Sequence, residues 1–214
     1  MAYDVVIFDL DGTLLDTLDD LMDSCNYALS TIGAPPRTRA EIRRFVGNGI
    51  RNLMLQAVPD GADNPKFEQA YETMQTWYKA HNQIKTAPYP GVQRLIRTLK
   101  QQGVPMAVVS NKPDEAVQGV VKKFFGDLPD IVSGGKKGVP LKPDPAAAEN
   151  ILSYFGAERA VSAFVGDSGV DMMTGRNAHL HTIGVKWGFR TEDELIKNGA
   201  EHTVDEPGEI IKIV

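Results

Sequence analysis

The stretch "VVIFDLDGTLLDT", Val5 to Thr17, decides the fold because it joins a buried strand to two neighbouring carboxylates. Four apolar residues, Val5 to Phe8, predict a short strand, and Asp9 and Asp11 come just after it. Gly12 permits a sharp turn at this point. Like charges this close repel each other unless a cation, a shared proton or water offsets them. The segment therefore predicts a functional strand end, with a solvated turn as the alternative.

Composition places the chain among ordinary globular proteins. It has 214 residues, of which 42% are hydrophobic and 24% charged, and a formal net charge of -5. The acidic balance argues against nucleic acid or an anionic membrane as partner. The one cysteine, Cys25, excludes an intrachain disulfide, and no segment approaches the ~20 apolar residues that cross a bilayer. We expect a cytoplasmic protein, a monomer or weak homodimer, that binds neither nucleic acid nor membrane.

Most of the remaining chain alternates strand patterns with helix patterns. Short apolar runs rich in β-branched residues predict further strands at 104–109, 131–132, 161–165 and 181–185. Amphipathic patterns predict helices at 92–102, 114–125, 144–155 and 170–178. This alternation predicts an α/β fold with a doubly wound parallel sheet, which is Rossmann-like. Ligands of such sheets bind at the carboxyl ends of the strands.

One region breaks the alternation, because it carries helix patterns and no convincing strand. Apolar stripes at helical spacing run from Leu18 to Ile32 and from Phe67 to His81, and a capping-box pattern opens a helix at Thr38. A crossover needs only ~10–12 residues, far fewer than this insertion contains. We predict an α/β core domain of residues 1–14 and 88–214 and a helical cap domain of residues 15–87.

Polar side chains also follow the second predicted strand of the core. Ser110 and Asn111 come directly after the run 104–109, and Lys142 lies just before a predicted helix. The ordinary alternatives are a helix cap for Ser110 and Asn111 and a surface position for Lys142. If the strands are parallel, however, these side chains lie at the sheet edge that also carries Asp9.

The strand at 161–165 ends in the same way. Asp167 follows it, and Asp171 comes four residues later, a spacing that places both on one face of a helix or turn. An N-cap role is the alternative for Asp167. Because three separate strands end in polar or acidic residues, we predict that their side chains converge on one crevice.

The charges in this crevice indicate what it binds. Asp9, Asp167 and Asp171 contribute about three negative charges when ionised, and Lys142 returns one. Such a site repels anions unless a divalent cation enters, and carboxylate oxygens without histidine or cysteine favour Mg²⁺. With Mg²⁺ present, a phosphate dianion can bind, and Ser110, Asn111 and nearby backbone N–H groups can donate to its oxygens. The residues predict a metal-dependent site for a small phosphorylated metabolite.

The same residues resemble the four motifs of the haloacid dehalogenase-like hydrolases, in that family's order. The matching positions are Asp9-Leu10-Asp11-Gly12-Thr13, Ser110, Lys142, and Gly166-Asp167-Ser168 with Asp171. The helical insertion is similar to the family's α-helical cap. This resemblance implies a phosphatase that works through an aspartyl-phosphate intermediate.

The resemblance also implies a role for each acid. Asp9 would be the nucleophile that attacks phosphorus, and Asp11 the general acid that later acts as a base. Mg²⁺ would bind the side chains of Asp9 and Asp167 and the backbone carbonyl of Asp11, with Asp171 supporting this shell. Family members that dehalogenate carbon lack an aspartate two positions after the nucleophile, so Asp11 favours phosphoryl transfer.

Four further residues are expected to contact the substrate. Ser110 and Lys142 would hold the phosphoryl oxygens as part of the catalytic set, and Thr13 and Asn111 would bind beside them. The assignments of Thr13, Ser110 and Lys142 follow from the resemblance of their positions to the family motifs, whereas Asn111 is included because its amide can donate to phosphate oxygens.

The segment "FVGNGI", residues 45–50, is similar to the cap loop of phosphoglycolate phosphatases. Gly47 and Asn48 could present N–H groups and an amide to a small carboxylate, with Arg43, Arg44 or Arg51 nearby. The alternative is a helix-breaking turn with solvated arginines. The expected substrate is 2-phosphoglycolate. A pyrophosphatase, a sugar-phosphate phosphatase or mutase, and more distantly a non-catalytic phosphate-ester-binding protein remain alternatives.

Overall fold

The computed structural model describes residues 3–214, which divide into two compact units. An α/β unit comprises the chain up to Asp16 together with Pro88–Val214, and a helical unit comprises Thr17–Ala87. Leu15 and Asp16, which were predicted to lie in the insertion, fall in the α/β unit and form a short strand.

The described residues form the following strands: β1 (Val5–Phe8), β2 (Leu15–Asp16), β3 (Ala87–Pro88), β4 (Met106–Pro113), β5 (Ile131–Gly135), β6 (Ser162–Gly166), β7 (His181–Val185) and β8 (His202–Val204). Six of them make one parallel sheet in the order β5-β4-β1-β6-β7-β8. The chain runs outward from β1 in both directions, so the topological switch lies at β1. This sheet confirms the predicted α/β fold and makes the carboxyl end of β1 the expected ligand site.

The helices are α1 (Leu18–Thr31), α2 (Arg39–Phe45), α3 (Gly49–Ala57), α4 (Phe67–His81), α5 (Val92–Gln101), α6 (Asp114–Phe125), α7 (Ala146–Phe155), α8 (Gly169–Asn177), α9 (Glu192–Lys197) and α10 (Pro207–Ile213). Single 3₁₀ turns occur at Gly61–Asp63 and Arg159–Val161. Across residues 3–214, no helix combines the length and the apolar character that crossing a bilayer requires.

The side chains of β1 point alternately to the two faces of the sheet, and helices cover both faces. Val6 and Phe8 pack into a core with residues of α5, α6 and α10, whereas Val5 and Ile7 pack into another core with residues of α7. All four residues of β1 are buried, which explains why its sequence is a continuous apolar run, as is typical of parallel strands with two covered faces.

The second predicted strand has different bounds. It was expected at 104–109, but β4 runs from Met106 to Pro113. Ser110 and Asn111 therefore lie within β4, where its register with β5 shifts between Val109 and Pro113. Such irregularities re-aim side chains, which apolar patterning alone does not reveal.

The helical unit is tied together at its ends. The buried Asp20 side chain near the start of α1 accepts hydrogen bonds from the N–H groups of Ile84, Lys85 and Thr86, at 2.9–3.1 Å, and from the Thr86 hydroxyl. The capping box predicted at Thr38 is present at the start of α2. One carboxylate thus joins the beginning and the end of this unit.

Candidate active site

The loop after β1 is folded back tightly on itself. The Asp9 N–H still donates to the Val165 carbonyl of β6 at 2.9 Å, and the N–H groups of Leu14 and Leu15 both donate to the Leu10 carbonyl. Gly12 has φ +95, a conformation that a side chain would oppose. This turn fixes the carboxylate of Asp9 at the carboxyl edge of the sheet.

Three buried carboxylates meet at this edge. Each of Asp9, Asp167 and Asp171 offers an oxygen, and these oxygens lie within 4.8 Å of one another. Burial raises the pKa of Asp9 well above its usual range, against the opposing effect of Lys142, and Asp171 and Asp167 raise it further. Burial, followed by repulsion from Asp171, raises the pKa of Asp167 to about 7. The cluster carries more negative charge than its surroundings stabilise.

Lys142 lies inside this cluster. Its Nζ donates to Asp9 Oδ1 at 2.5 Å and to Asp171 Oδ1 at 2.7 Å, and the side chain is buried. Burial opposes its charged form, but the carboxylates of Asp171 and Asp9 outweigh this effect and raise the pKa of Lys142. The ammonium group is therefore charged and links two of the three carboxylates.

Asn111 holds Lys142 in place. Its side-chain Nδ2 donates to the Lys142 carbonyl at 3.1 Å, and its Oδ1 accepts the Lys142 N–H at 2.8 Å. These two bonds fasten the loop before α7 to strand β4. Asn111 was predicted to bind the phosphoryl group, and that contact stays a prediction beside the bonds seen here.

The second carboxylate of the opening segment has a lysine of its own. Lys112 Nζ lies 3.0 Å from Asp11 Oδ1, with the lysine side chain 2% exposed and the aspartate side chain 15% exposed. Asp9 and Asp11 therefore stand close in sequence because each pairs with a different buried ammonium group. The charges predicted from the sequence included Lys142 but not Lys112, which follows the predicted strand 104–109 and lies within the observed strand β4.

The corrected charges still leave room for a cation. Four carboxylates, those of Asp9, Asp11, Asp167 and Asp171, face the two ammonium groups of Lys112 and Lys142. Arg190 also acts on Asp167, but its charge is offset by Glu194, 3.4 Å away. Two negative charges therefore remain when all these groups are ionised, and one divalent ion neutralises them. Oxygen donors without histidine or cysteine suit such an ion. The chemistry of the donor set therefore fits a divalent metal at this buried cluster.

Asp171 is placed by a capping box. Ser168 is the N-cap of α8, its hydroxyl accepts the Asp171 N–H, and its own N–H and hydroxyl donate to Asp171 Oδ2 at 3.1 and 2.6 Å. Asp167 precedes the cap, so neither its suggested N-cap role nor the shared helix face with Asp171 is correct. The two acids meet because the chain turns at Ser168.

The segment after β7 completes the site, and sequence reasoning missed it. The Phe189 N–H donates to Asp167 Oδ2 at 2.6 Å, and the Trp187 indole donates to the Thr13 carbonyl at 3.0 Å. The Thr13 hydroxyl lies 3.3 Å from Asp167 and 3.4 Å from Asp9. The available signal was position, since β7 also ends at the carboxyl edge and "WGF" follows it.

Gly188 leaves the space that Asp167 occupies. A Cβ atom at this position would lie 2.2 Å from the Asp167 Cβ and 2.5 Å from the Gly12 carbonyl oxygen. We expect Gly188→Ala to lower the free energy of unfolding by about 1–3 kcal/mol, because overpacking displaces the carboxylate. Gly208→Ala, where no atom lies within 4 Å, is the matched control. Equal denaturant midpoints for the two variants would contradict this packing.

The remaining predicted substrate residues lie in the helical unit. Gly47 and Gly49 have φ 123 and 79, so they bend the chain between α2 and α3, and Asn48 is the N-cap residue of α3. Arg51 is held by Glu68, with N···O distances of 3.0 and 2.5 Å. A substrate contact by Gly47 or Asn48 stays a prediction.

Comparison with known proteins gives a consistent family. The family model of the haloacid dehalogenase-like hydrolases matches residues 6–185. A phosphoglycolate phosphatase of Psychrobacter arcticus is 35% identical over 204 residues, covering 91% of this chain and 88% of that protein. An N-acetylmuramic acid 6-phosphate phosphatase of Pseudomonas aeruginosa is 28% identical over 216 residues, covering 100% and 96%.

A solved structure agrees with these matches. The crystal structure of a proposed phosphoglycolate phosphatase from Lactobacillus delbrueckii subsp. bulgaricus has a TM-score of 0.93 to this chain at 34% identity. The similarity covers 100% of this chain and 98% of the other. The chain belongs to the haloacid dehalogenase-like hydrolases, as its motifs predicted, and is similar to the phosphoglycolate phosphatases among them.

Proposed function

We propose that this protein is a Mg²⁺-dependent phosphatase that hydrolyses a small phosphate monoester, foremost 2-phosphoglycolate, through an aspartyl-phosphate. The observation that carries the proposal is the buried cluster in which Lys142 bridges Asp9 and Asp171, with Asp167 beside them. Family membership supports hydrolase chemistry at this cluster.

Asp9 is the proposed nucleophile. A carboxylate oxygen of Asp9 attacks phosphorus, so that a new O–P bond forms while the bond from phosphorus to the alcohol oxygen breaks. Lys142, fixed by Asn111, stabilises negative charge on the transferring group, and Ser110 supplies a hydroxyl from the neighbouring strand. The alcohol leaves and the phosphoryl group remains on Asp9.

Asp11 is the proposed proton carrier in both half-reactions. In the first it gives a proton to the departing oxygen, and in the second it takes a proton from the water that attacks the aspartyl-phosphate. Phosphate is released and the Asp9 carboxylate is restored. Asp11 suits this role because it is partly exposed, unlike the buried Asp9.

Magnesium would be held by the side chains of Asp9 and Asp167 and the backbone carbonyl of Asp11, with Asp171 fixed close by. When bound, the ion supplies positive charge that offsets the cluster and the phosphoryl oxygens. Asp167 is well suited to hold it, because the Phe189 N–H fixes its carboxylate and Gly12 and Gly188 leave the space that the side chain occupies.

The substrate proposal rests on the named relatives and on the segment between α2 and α3. The Psychrobacter arcticus relative is named a phosphoglycolate phosphatase, and the Pseudomonas aeruginosa relative is named an N-acetylmuramic acid 6-phosphate phosphatase. We place substrate selection in the helical unit, acting as a cap, with Gly47 and Asn48 as the proposed contacts for the substrate carboxylate.

A phosphate-release screen tests this proposal. Purified protein is incubated with 2-phosphoglycolate, pyrophosphate, N-acetylmuramic acid 6-phosphate, hexose 6-phosphates and an aryl phosphate, with Mg²⁺ and with excess chelator. We expect release from 2-phosphoglycolate to be fastest and to stop in chelator. Activity that chelation leaves unchanged would refute the metal proposal, and isomerised sugar phosphate without free phosphate would indicate a mutase.

A further inference from the structure

We propose that Lys112 is a positioning residue that holds the carboxyl group of Asp11 for proton transfer to the leaving alcohol. This inference rests on the proposed function, because it needs Asp11 to act as the general acid. It assigns a purpose to a buried lysine that the nucleophile and the metal cluster do not use.

The burial of Lys112 is the first observation. Its side chain is only 2% exposed, whereas lysine is normally a surface residue. Burying an ammonium group is costly unless charge and hydrogen bonds compensate it. Asp11 Oδ1, 3.0 Å from the Lys112 ammonium group, provides that compensation, so the proton that Asp11 transfers would sit on its other oxygen, Oδ2.

The place of Lys112 in strand β4 is the second observation. Ser110 and Lys112 are two residues apart, and the Ser110 hydroxyl accepts the Lys112 N–H at 3.2 Å. The irregular part of β4 thus carries Ser110, Asn111 and Lys112 in succession. Asn111 fixes Lys142, and Lys112 contacts Asp11, so a single strand end places the two ammonium groups of the site.

The separation of the two ion pairs is the third observation. Lys142 bonds Asp9 and Asp171, while Lys112 bonds Asp11. Asp11 lies in the loop after β1, and its carboxyl group needs to stay within reach of a departing oxygen. A misplacement of about 1 Å can lower a rate by about 100-fold. A buried lysine on a strand restricts the Asp11 side chain in the way this step requires.

The proposal predicts a dependence on the leaving group. An alkyl phosphate needs its leaving oxygen protonated, whereas p-nitrophenolate leaves without help. We therefore expect Lys112→Met to lower kcat/KM for 2-phosphoglycolate by about 10–100-fold and for p-nitrophenyl phosphate by less than about threefold. We compare kcat/KM because it reports the step that releases the alcohol, not the later hydrolysis of the aspartyl-phosphate.

The experiment measures Lys112→Met, Lys112→Gln, Asp11→Asn and the double variant Asp11→Asn/Lys112→Met with Mg²⁺. Lys136→Met, an exposed lysine of the same unit, is the control. We expect the inhibition constant of inorganic phosphate to stay within about twofold, and Lys112→Met to cause no further loss in the Asp11→Asn background. If Lys112→Met does not fold, the kcat/KM values of the two substrates are compared in Lys112→Gln instead.

Three results would overturn the inference. The first is an equal loss of kcat/KM for both substrates in Lys112→Met. The second is weaker inhibition by phosphate with unchanged kcat. The third is a loss of kcat/KM in the double variant that equals the sum of the losses, as free energies, in the two single variants. The proposed function fails separately, since in that case the unmodified protein hydrolyses neither substrate with Mg²⁺.

Discussion

Asp9→Asn should lower kcat for hydrolysis of any accepted phosphate ester by about 10⁴-fold or more, because the amide cannot form the covalent intermediate. Phosphate release with Mg²⁺ at saturating substrate measures this loss. The same variant should retain its fold. Lys142 keeps Asp171 as a partner, and one of three mutually repelling buried carboxylates is removed. We therefore expect a melting temperature in chelator no lower than that of the unmodified protein.

Asp127→Asn is the matched control for this substitution. The Asp127 side chain is 89% exposed and pairs only with Lys122 among the contacts described, so its loss should leave kcat unchanged. Turnover by Asp9→Asn within tenfold of the unmodified protein would rule out Asp9 as the nucleophile. Labelled phosphate trapped on another residue would do the same.

Lys142→Met should be the most destabilising single substitution in the site. It leaves Asp9 and Asp171 buried without their bridging ammonium group, beside the buried Asp167. Removing one partner of a buried ion pair costs about 3–5 kcal/mol, which in a chain of this size lowers the melting temperature by roughly 6–20 °C. We expect kcat to fall as well, since the transferring phosphoryl group loses a positive charge.

The stability effect is measured in chelator, so that no bound cation replaces the lysine. Lys136→Met is the control, because that lysine is 57% exposed and lies 3.6 Å from its acidic partner. Adding Asp171→Asn to Lys142→Met should restore part of the lost stability by removing an uncompensated carboxylate. If the double variant is less stable than Lys142→Met, repulsion between these acids is not the cause.

Local patterns predicted the sheet because parallel strands buried on both faces leave long apolar runs. This pattern predicted Val5–Phe8 and the run ending at Val165, and the spacing of apolar residues predicted helices α1 and α4 equally well. The pattern failed for β8 and α9, which are only three and six residues long. Short elements depend on their neighbours more than on their own sequence.

Site residues could be predicted where they directly follow a strand, but not where their role depends on contacts between residues far apart in the chain. Asp9 and Asp167 could be located because each follows an apolar run. The pairing of Asn111 with the Lys142 backbone joins residues far apart in the chain, so no local pattern predicts it. Lys112 was overlooked because apolar patterning ends β4 at Val109, although its spacing of two from Ser110 is a strand signal.

The Asp20 contacts have a consequence for engineering and for evolution of this chain. Because one side chain bonds residues 84–86, the entry and exit of the helical unit lie side by side. A segment whose two ends meet can be exchanged for another, or for a short linker, without stretching the host. Grafting experiments that preserve this carboxylate could therefore give one hydrolytic centre new specificities.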